Sequence, residues 1–145
     1  MTDTTSGIPL SQPLYGATIG QAISRFFRKY AVFTGRASRS EFWWWALVWA
    51  IVSGVLSAIP YTLNTPMFIT DNGVPTPVFS AALIPYWIWW LATVVPFFAL
   101  AWRRLHDTNR AGPFALLWLV PFVGPIIVII LCALPTDPAG ARFDR

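Results

Sequence analysis

The sequence is poor in charge. Only 11% of its 145 residues are Asp, Glu, Lys or Arg, whereas a soluble domain carries roughly 25%. Residues 42–70, 72–102 and 111–136 contain no charged side chain and no histidine. Each helix of a soluble bundle needs a polar face, so these long uncharged stretches argue against a soluble fold and indicate a membrane protein.

Cysteine and histidine are also scarce, with Cys132 and His106 as the sole examples. A single cysteine excludes an intramolecular disulfide and a metal site built on thiolates, so we expect no cofactor and no metal. The sequence lacks a nucleophile elbow, a Gly-rich phosphate loop and paired metal-binding aspartates. We therefore do not expect an enzyme.

Hydrophobic residues, in contrast, make up 56% of the chain and include nine Trp. About 20 apolar residues suffice to span a bilayer, and aromatic residues at the segment ends suit the membrane interfaces. We predict an all-α membrane protein with three transmembrane helices at about residues 42–61, 83–102 and 113–134. Pro121, Gly124 and Pro125 interrupt the third segment, so a re-entrant hairpin with both ends on one side is the alternative.

The N-terminal region divides into two parts. Residues 1–16 lack the basic start and apolar core of a signal peptide, and we expect a disordered tail. Within residues 17–34, apolar and basic side chains alternate at helical spacing, which predicts a short amphipathic interfacial helix at about 18–32. Packing of this helix against the transmembrane bundle is a compatible alternative. We assign residues 35–136 to the transmembrane domain and 137–145 to a short polar C-terminal tail.

Basic residues mark one side of the membrane. Five precede the first predicted span and three lie in residues 103–112, whereas residues 62–82 contain no basic residue and one acid, Asp71. Cytoplasmic loops carry the excess of Lys and Arg. The protein is thus predicted to be a multi-pass protein of the bacterial inner (plasma) membrane, with its N-terminus and the 103–112 loop in the cytoplasm. Three full spans place the C-terminal tail outside.

Two polar motifs occur at the predicted cytoplasmic ends, "FTGRASRSEFWWW" (33–45) and "RRLHDTNRAG" (103–112). Helix ends in a bundle lie within about 10 Å of one another, so five arginines meet two carboxylates. The acids are expected to lock the helix ends together, and the surplus arginines to bind an anionic lipid headgroup or a phosphorylated ligand. For any single arginine of this group, the alternative is that it only sets the orientation of a helix in the membrane. The predicted site comprises Arg36, Arg39, Glu41, Arg103, Arg104, His106, Asp107 and Arg110.

Small residues on the first predicted span favour a second class of function, a membrane assembly or scaffold subunit. Ser53, Gly54, Ser57 and Ala58 form pairs at four-residue spacing, which lets helices approach closely. Such pairs serve internal packing, a homo-oligomer or a partner membrane protein. A small transporter or membrane enzyme using His106 and Asp107 is a further alternative. The expected partners are membrane lipids, anionic ones in particular, and no nucleic acid.

Both motifs, with "PFVG" and the tail "PTDPAGARFD", resemble the bacterial inner-membrane family catalogued as domain of unknown function 805. The resemblance covers about Tyr30 to Asp144 and supplies no reaction. Ala141 and Asp144 depart from the Asn and Gly that the family tends to have. The resemblance implies these characteristic residues: Gly35, Arg36, Arg39, Glu41, Arg103, Arg104, Leu105, His106, Asp107, Arg110, Pro121, Gly124, Pro138, Arg142 and Phe143.

Overall fold

The computed structural model describes residues 7–65, 68–77 and 81–144. The α-helices are α1 (Ile19–Arg28), α2 (Arg39–Thr62), α3 (Ile84–Asp107) and α4 (Val123–Ala133). Strands β1 (Phe68–Asp71) and β2 (Val74–Pro77) pair as an antiparallel hairpin, and 3₁₀ helices cover Ala81–Leu83, Gly112–Leu119 and Pro138–Phe143. The described residues are mostly helical, as predicted, but the β-hairpin departs from the predicted all-α fold. Two compact units form, residues 1–46 with 94–145 and residues 47–93.

Helices α2 and α3 are each long and apolar enough to cross a membrane. Both have 24 residues, or about 36 Å at 1.5 Å per residue. Helix α3 continues five residues beyond the predicted end at Trp102, so Arg103 to Asp107 form its last turns rather than a loop. The helix continues because arginine is a good helix former and cations near a helix C-terminus interact favourably with its dipole.

The connection between α2 and α3 contains a hairpin that the sequence analysis did not predict. Asn72 and Gly73 join β1 to β2 with φ values of 49° and 82°. Two consecutive residues with positive φ make a type I′ turn, which Asn-Gly strongly favours. The Asn-Gly dipeptide therefore indicated a β-hairpin in the sequence, within the unit of residues 47–93.

The third apolar segment does not form one continuous helix over residues 113–134. A 3₁₀ helix ends at Leu119, and α4 begins at Val123 and packs against it. Phe122 turns the chain between them with φ 63° and ψ −60°, and the Val123 N–H donates to the Pro121 carbonyl at 2.8 Å. This is the strained form of the γ-turn, rare outside glycine. Helix α4 has 11 residues, about 16 Å, or half of a hydrocarbon core of about 30 Å.

Both ends of this 3₁₀–α4 hairpin lie beside the end of α3. At its start, a Cβ on Gly112 would lie 1.7 Å from the Trp102 indole nitrogen. At its end, the Arg104 guanidinium donates to the carbonyl of Cys132 at 2.8 Å and to that of Leu134. The segment therefore has the geometry of the hairpin alternative, with its two ends together.

The N-terminal region packs closely against the start of α2. Phe26 of α1 is 1% exposed and stacks on Trp45, with ring centroids 3.4 Å apart. Arg25 and Lys29 are also 1% exposed, so they do not form the exposed basic face that we expected among headgroups. The alternative, packing against the bundle, describes this contact.

Residues 1–16 were expected to be disordered. Residues 1–6 lie outside the described part, whereas residues 7–16 pack on the rest of their unit. Leu14 is buried, and its carbonyl accepts a hydrogen bond from the Ser38 hydroxyl at 2.6 Å. The Ser11 carbonyl accepts one from the Arg36 N–H at 2.9 Å. The chain before α1 is therefore tied to the segment that begins α2.

Candidate functional site

Asp107, at the end of α3, is fully buried and joins four side chains. Its Oδ1 accepts a hydrogen bond from the Tyr15 hydroxyl at 2.9 Å and lies 3.6 Å from the Arg36 guanidinium. Its Oδ2 accepts from the Thr136 hydroxyl at 2.7 Å and pairs with Arg104. We call these five residues the Asp107 cluster. Buried charge is tolerated only when it is paired and hydrogen-bonded, and this carboxylate meets both conditions.

Arg104 connects the Asp107 cluster to the end of the 3₁₀–α4 hairpin. Its side chain is 0% exposed and binds Asp107 together with the carbonyls of Cys132 and Leu134. The fork of five donors on a guanidinium suits several acceptors at once. Arg104 thus satisfies carbonyls that the last turn of a helix leaves without partners.

Arg36 connects the same cluster to the C-terminal tail. Its Nε and Nη2 donate to the two carboxylate oxygens of Asp144 at 2.7 and 2.6 Å. These hydrogen bonds raise the pKa of Arg36 above its ordinary value. Burial of the hydroxyl and, second, its hydrogen bond to Asp107 raise the pKa of Tyr15. Asp144, the departure from the family pattern, thus binds one of the predicted site residues.

His106 also contacts the C-terminal tail. Its ring lies parallel to that of Phe143, with centroids 4.0 Å apart, and its Nδ1 donates to the Gly35 carbonyl at 3.0 Å. A carbonyl oxygen only accepts, so Nδ1 carries a proton in this arrangement. The Gly35 N–H in turn donates to the Phe143 carbonyl at 3.0 Å.

Two glycines allow these backbones to approach. Gly35 has φ 78°, and a Cβ there would lie 2.5 Å from the Ser11 carbonyl oxygen. A Cβ on Gly140 would lie 2.4 Å from the His106 carbonyl oxygen. Positive φ and close backbone approach are the two conditions that only glycine meets without strain.

Glu41 lies in a second buried centre, away from the Asp107 cluster. Its carboxylate pairs with Arg25 of α1, and both side chains are at most 3% exposed. Glu41 also caps α2: its Oε2 accepts from the Ser38 N–H at 3.0 Å, while the Ser38 hydroxyl accepts from the Glu41 N–H at 3.2 Å. This reciprocal pair is a capping box. Of the five motif arginines, Arg36 and Arg104 pair with Asp107, whereas Glu41 pairs with Arg25 of α1.

Arg103 is 1% exposed and close enough to Glu41 and Arg25 for their charges to act on it. Its Nε donates to the Ala99 carbonyl at 3.0 Å, and its own carbonyl accepts from the Ala37 N–H at 3.1 Å. The backbone of α3 thus binds the segment leading into α2. Arg103 and Arg104, two of the arginines in the predicted binding site, are therefore both inaccessible.

Arg39 and Arg110 are the two predicted site residues whose side chains are exposed. Arg142 is exposed as well, and its guanidinium lies 4.7 Å from the centre of the Phe143 ring. None of these three has an ion pair within the described residues. They are therefore accessible cations, whereas Arg25, Arg103 and Arg104 of the same unit are buried.

The predicted helix-packing residues behave differently from one another. Within the unit of residues 47–93, Ser53 is buried and accepts a hydrogen bond from the Trp89 indole N–H at 3.1 Å. Gly54 and Ala58 are exposed, and a Cβ on Gly54 would meet nothing within 4 Å. Ser57 donates to the Gly54 carbonyl at 2.9 Å, inside its own helix.

The chemistry available to the Asp107 cluster is that of a structural anchor. Both oxygens of Asp107 accept hydrogen bonds from side chains of the protein, Oδ1 from Tyr15 and Oδ2 from Thr136 and Arg104. No group of three or more His, Cys, Asp or Glu side chains comes together in the residues that the structure describes. The contacts of Asp107 hold four side chains together.

Several residues of these centres escaped the sequence analysis. Ser38 was identifiable, since Ser-Arg-Ser-Glu has the S-x-x-E spacing of a capping box. Tyr15, Thr136 and Asp144 offered no such signal, because each approaches Asp107 or Arg36 from a distant part of the chain.

Comparison with known proteins confirms the family resemblance that the motifs indicated. The family model described as a protein of unknown function (DUF805) matches residues 30–145. Inner membrane protein YhaI of Escherichia coli (strain K12) is 38% identical over 118 residues, which cover 81% of this chain and 87% of that protein. Inner membrane protein YhaH of the same strain is 32% identical over 119 residues, covering 82% and 89%. No solved structure matches the chain.

Proposed function

The chain belongs to the DUF805 family, and on that premise we propose that it is a two-span inner-membrane protein whose cytoplasmic end binds anionic lipid headgroups. Helices α2 and α3 cross the membrane, and the 3₁₀–α4 hairpin enters and leaves it on the cytoplasmic side. The two buried centres are structural, and the ligand-binding groups are the exposed arginines. The role is binding rather than catalysis.

The distribution of charge supports this topology. All ten basic residues lie in residues 25–39, 103–110 and 142–145. Residues 63–83, in contrast, contain a single charged residue, Asp71. Two spans place every basic residue in the cytoplasm, as the positive-inside rule favours. Three spans would place Arg142 and Arg145 outside. The bond between Arg36 and Asp144 supports the two-span arrangement, because it ties the tail to the segment before α2.

One observation carries the headgroup proposal: Arg39, Arg110 and Arg142 are exposed and have no ion pair in the described part of the chain. An arginine near an anionic membrane surface contributes about 1 kcal/mol of attraction. A planar guanidinium also binds a phosphate with two parallel hydrogen bonds. These three replace the buried Arg103 and Arg104 as the expected binding groups.

Native mass spectrometry of protein extracted with its own lipids tests the proposal. Replacing Arg39, Arg110 and Arg142 together with Ala should lower affinity for phosphatidylglycerol roughly 100-fold, from about 1 kcal/mol for each arginine. The matched variant with Lys at all three positions keeps the charge and should retain most of the lipid. Equal retention of phosphatidylglycerol by the natural and triple-Ala proteins contradicts the proposal.

A scaffold role is the second candidate, and the exposure of Gly54 and Ala58 favours it. A membrane helix presenting small residues allows a second helix to pack closely. The same mass spectra distinguish this role, since it requires a dimer mass that is lost when Gly54 is replaced by Leu. A monomer in both spectra argues against it.

A further inference from the structure

An apolar groove of about 320 Å³ lies on the 3₁₀ helix that begins the hairpin. Ala111, Pro113, Phe114, Leu116 and Leu117 line it. The lining offers almost no polar surface, so the groove suits a hydrocarbon group and has little to bind a sugar or a free anion. Its volume is at the small end of the range for ligand pockets, which fits part of a ligand better than a whole one.

Arg110 stands at the start of this groove, one residue before Ala111. Asn109 turns the chain out of α3 with φ 57°, and the Arg110 N–H donates to the Leu105 carbonyl at 2.9 Å. The backbone at Arg110 is therefore fixed while its side chain is exposed. A cation attached to a fixed backbone at the start of an apolar groove complements a molecule with an anionic head and a hydrocarbon chain.

We propose that one anionic phospholipid binds here, with its phosphate on the Arg110 guanidinium and one acyl chain along the groove. This inference rests on the proposed function and makes it more specific. Arg39, Arg110 and Arg142 would all attract headgroups, but Arg110 would define a site for a single lipid. Arg142 is the natural comparison, because it is also exposed but already lies over the Phe143 ring.

Photo-crosslinking in proteoliposomes tests this site. The probe is phosphatidylglycerol with a diazirine in its acyl chain, added at low mole fraction to phosphatidylcholine vesicles, with crosslinks located by mass spectrometry of peptides. Crosslinks should concentrate on residues 111–117. Arg110→Ala should reduce them about fivefold, the effect expected for one interfacial arginine. Arg110→Lys should restore most of the signal, and Arg142→Ala should lower it less than Arg110→Ala does.

A second variant separates the acyl chain from the headgroup. Ala111 is exposed and lines the groove, so Ala111→Leu fills the groove without disturbing the core, and it should lower the crosslinking yield while Arg110 is still present. A phosphatidylcholine probe with the same diazirine chain should crosslink weakly. Competition by inorganic phosphate that removes the signal would instead indicate a free-anion site and overturn the lipid proposal.

The outcomes also distinguish this inference from the proposed function. If the triple-Ala variant loses phosphatidylglycerol but crosslinks are spread evenly over the apolar surface, headgroup binding stands and the single-lipid site is wrong. Equal crosslinking in Arg110→Ala and Arg142→Ala would likewise show that the single-lipid site at Arg110 is wrong. If the triple variant keeps its lipid and no crosslinks concentrate on 111–117, both proposals fail.

Discussion

At the scale of single residues, the arginines divide by burial rather than by their place in a motif. Arg103 and Arg104 are adjacent in sequence and both at most 1% exposed, yet one faces the Glu41 centre and the other binds Asp107. Consecutive residues on a helix project about 100° apart, since 3.6 residues complete a turn. A run of charges at a helix end can therefore serve two separate centres.

Asp107→Asn tests the larger of these centres. The amide keeps the shape but removes the charge that compensates Arg104, and breaking a buried pair from one side costs about 3–5 kcal/mol. We expect lower accumulation in the membrane and a lower Tm in detergent. Asp137→Asn is the matched control: Asp137 caps a 3₁₀ helix through Ala139 N–H at 2.9 Å, and Asn caps about equally well. Equal Tm values for the two variants would contradict an anchoring role for Asp107.

At the scale of elements, the third apolar segment shows how few residues turn a predicted span into a hairpin. Pro121 lacks an N–H and Phe122 adopts a positive φ, so the helical hydrogen bonds stop there. Gly124 then lets α4 return closely, because a Cβ would lie 1.7 Å from the Leu117 carbonyl oxygen. Pro125 falls in the first turn of α4, where a missing N–H costs little.

Gly124→Ala should open this hairpin. The added methyl overlaps a backbone oxygen that cannot rotate away, and overpacking of this kind costs about 1–3 kcal/mol. The expected readout is a lower Tm together with easier alkylation of Cys132, which is buried in α4. Gly54→Ala is the control, since its added methyl meets nothing within 4 Å. A Gly124 variant as stable as the Gly54 variant would argue against close packing of the hairpin.

At the scale of the whole molecule, the sides of the tail and of the β-hairpin distinguish two spans from three. With Cys132 replaced by Ala, a cysteine at position 72 should react with a membrane-impermeant maleimide added to intact spheroplasts. A cysteine at position 141 should react only after lysis, because two spans leave the tail in the cytoplasm with the basic residues. Reaction of position 141 in intact spheroplasts would establish three spans.

Much of the fold was predictable from the lengths of the hydrophobic segments and from the turn and cap residues between them. The first two predicted segments became α2 and α3 with ends shifted by a few residues, because uncharged runs above about 20 residues permit little else. The β-hairpin was readable from Asn72-Gly73, and the cap of α2 from Ser38 and Glu41, although neither was predicted. The hairpin in the third segment was indicated by its prolines and glycine but not decided by them.

Composition and neighbours along the chain were enough to predict a membrane protein and its family motifs, because both are local properties of the sequence. Only the tertiary structure decided which carboxylate each arginine meets. Tyr15, Arg36 and Thr136 are all distant in sequence from Asp107, yet each binds it. Burial makes such a pairing necessary, but which partner supplies it depends on how distant segments pack, and no local pattern in the chain encodes that.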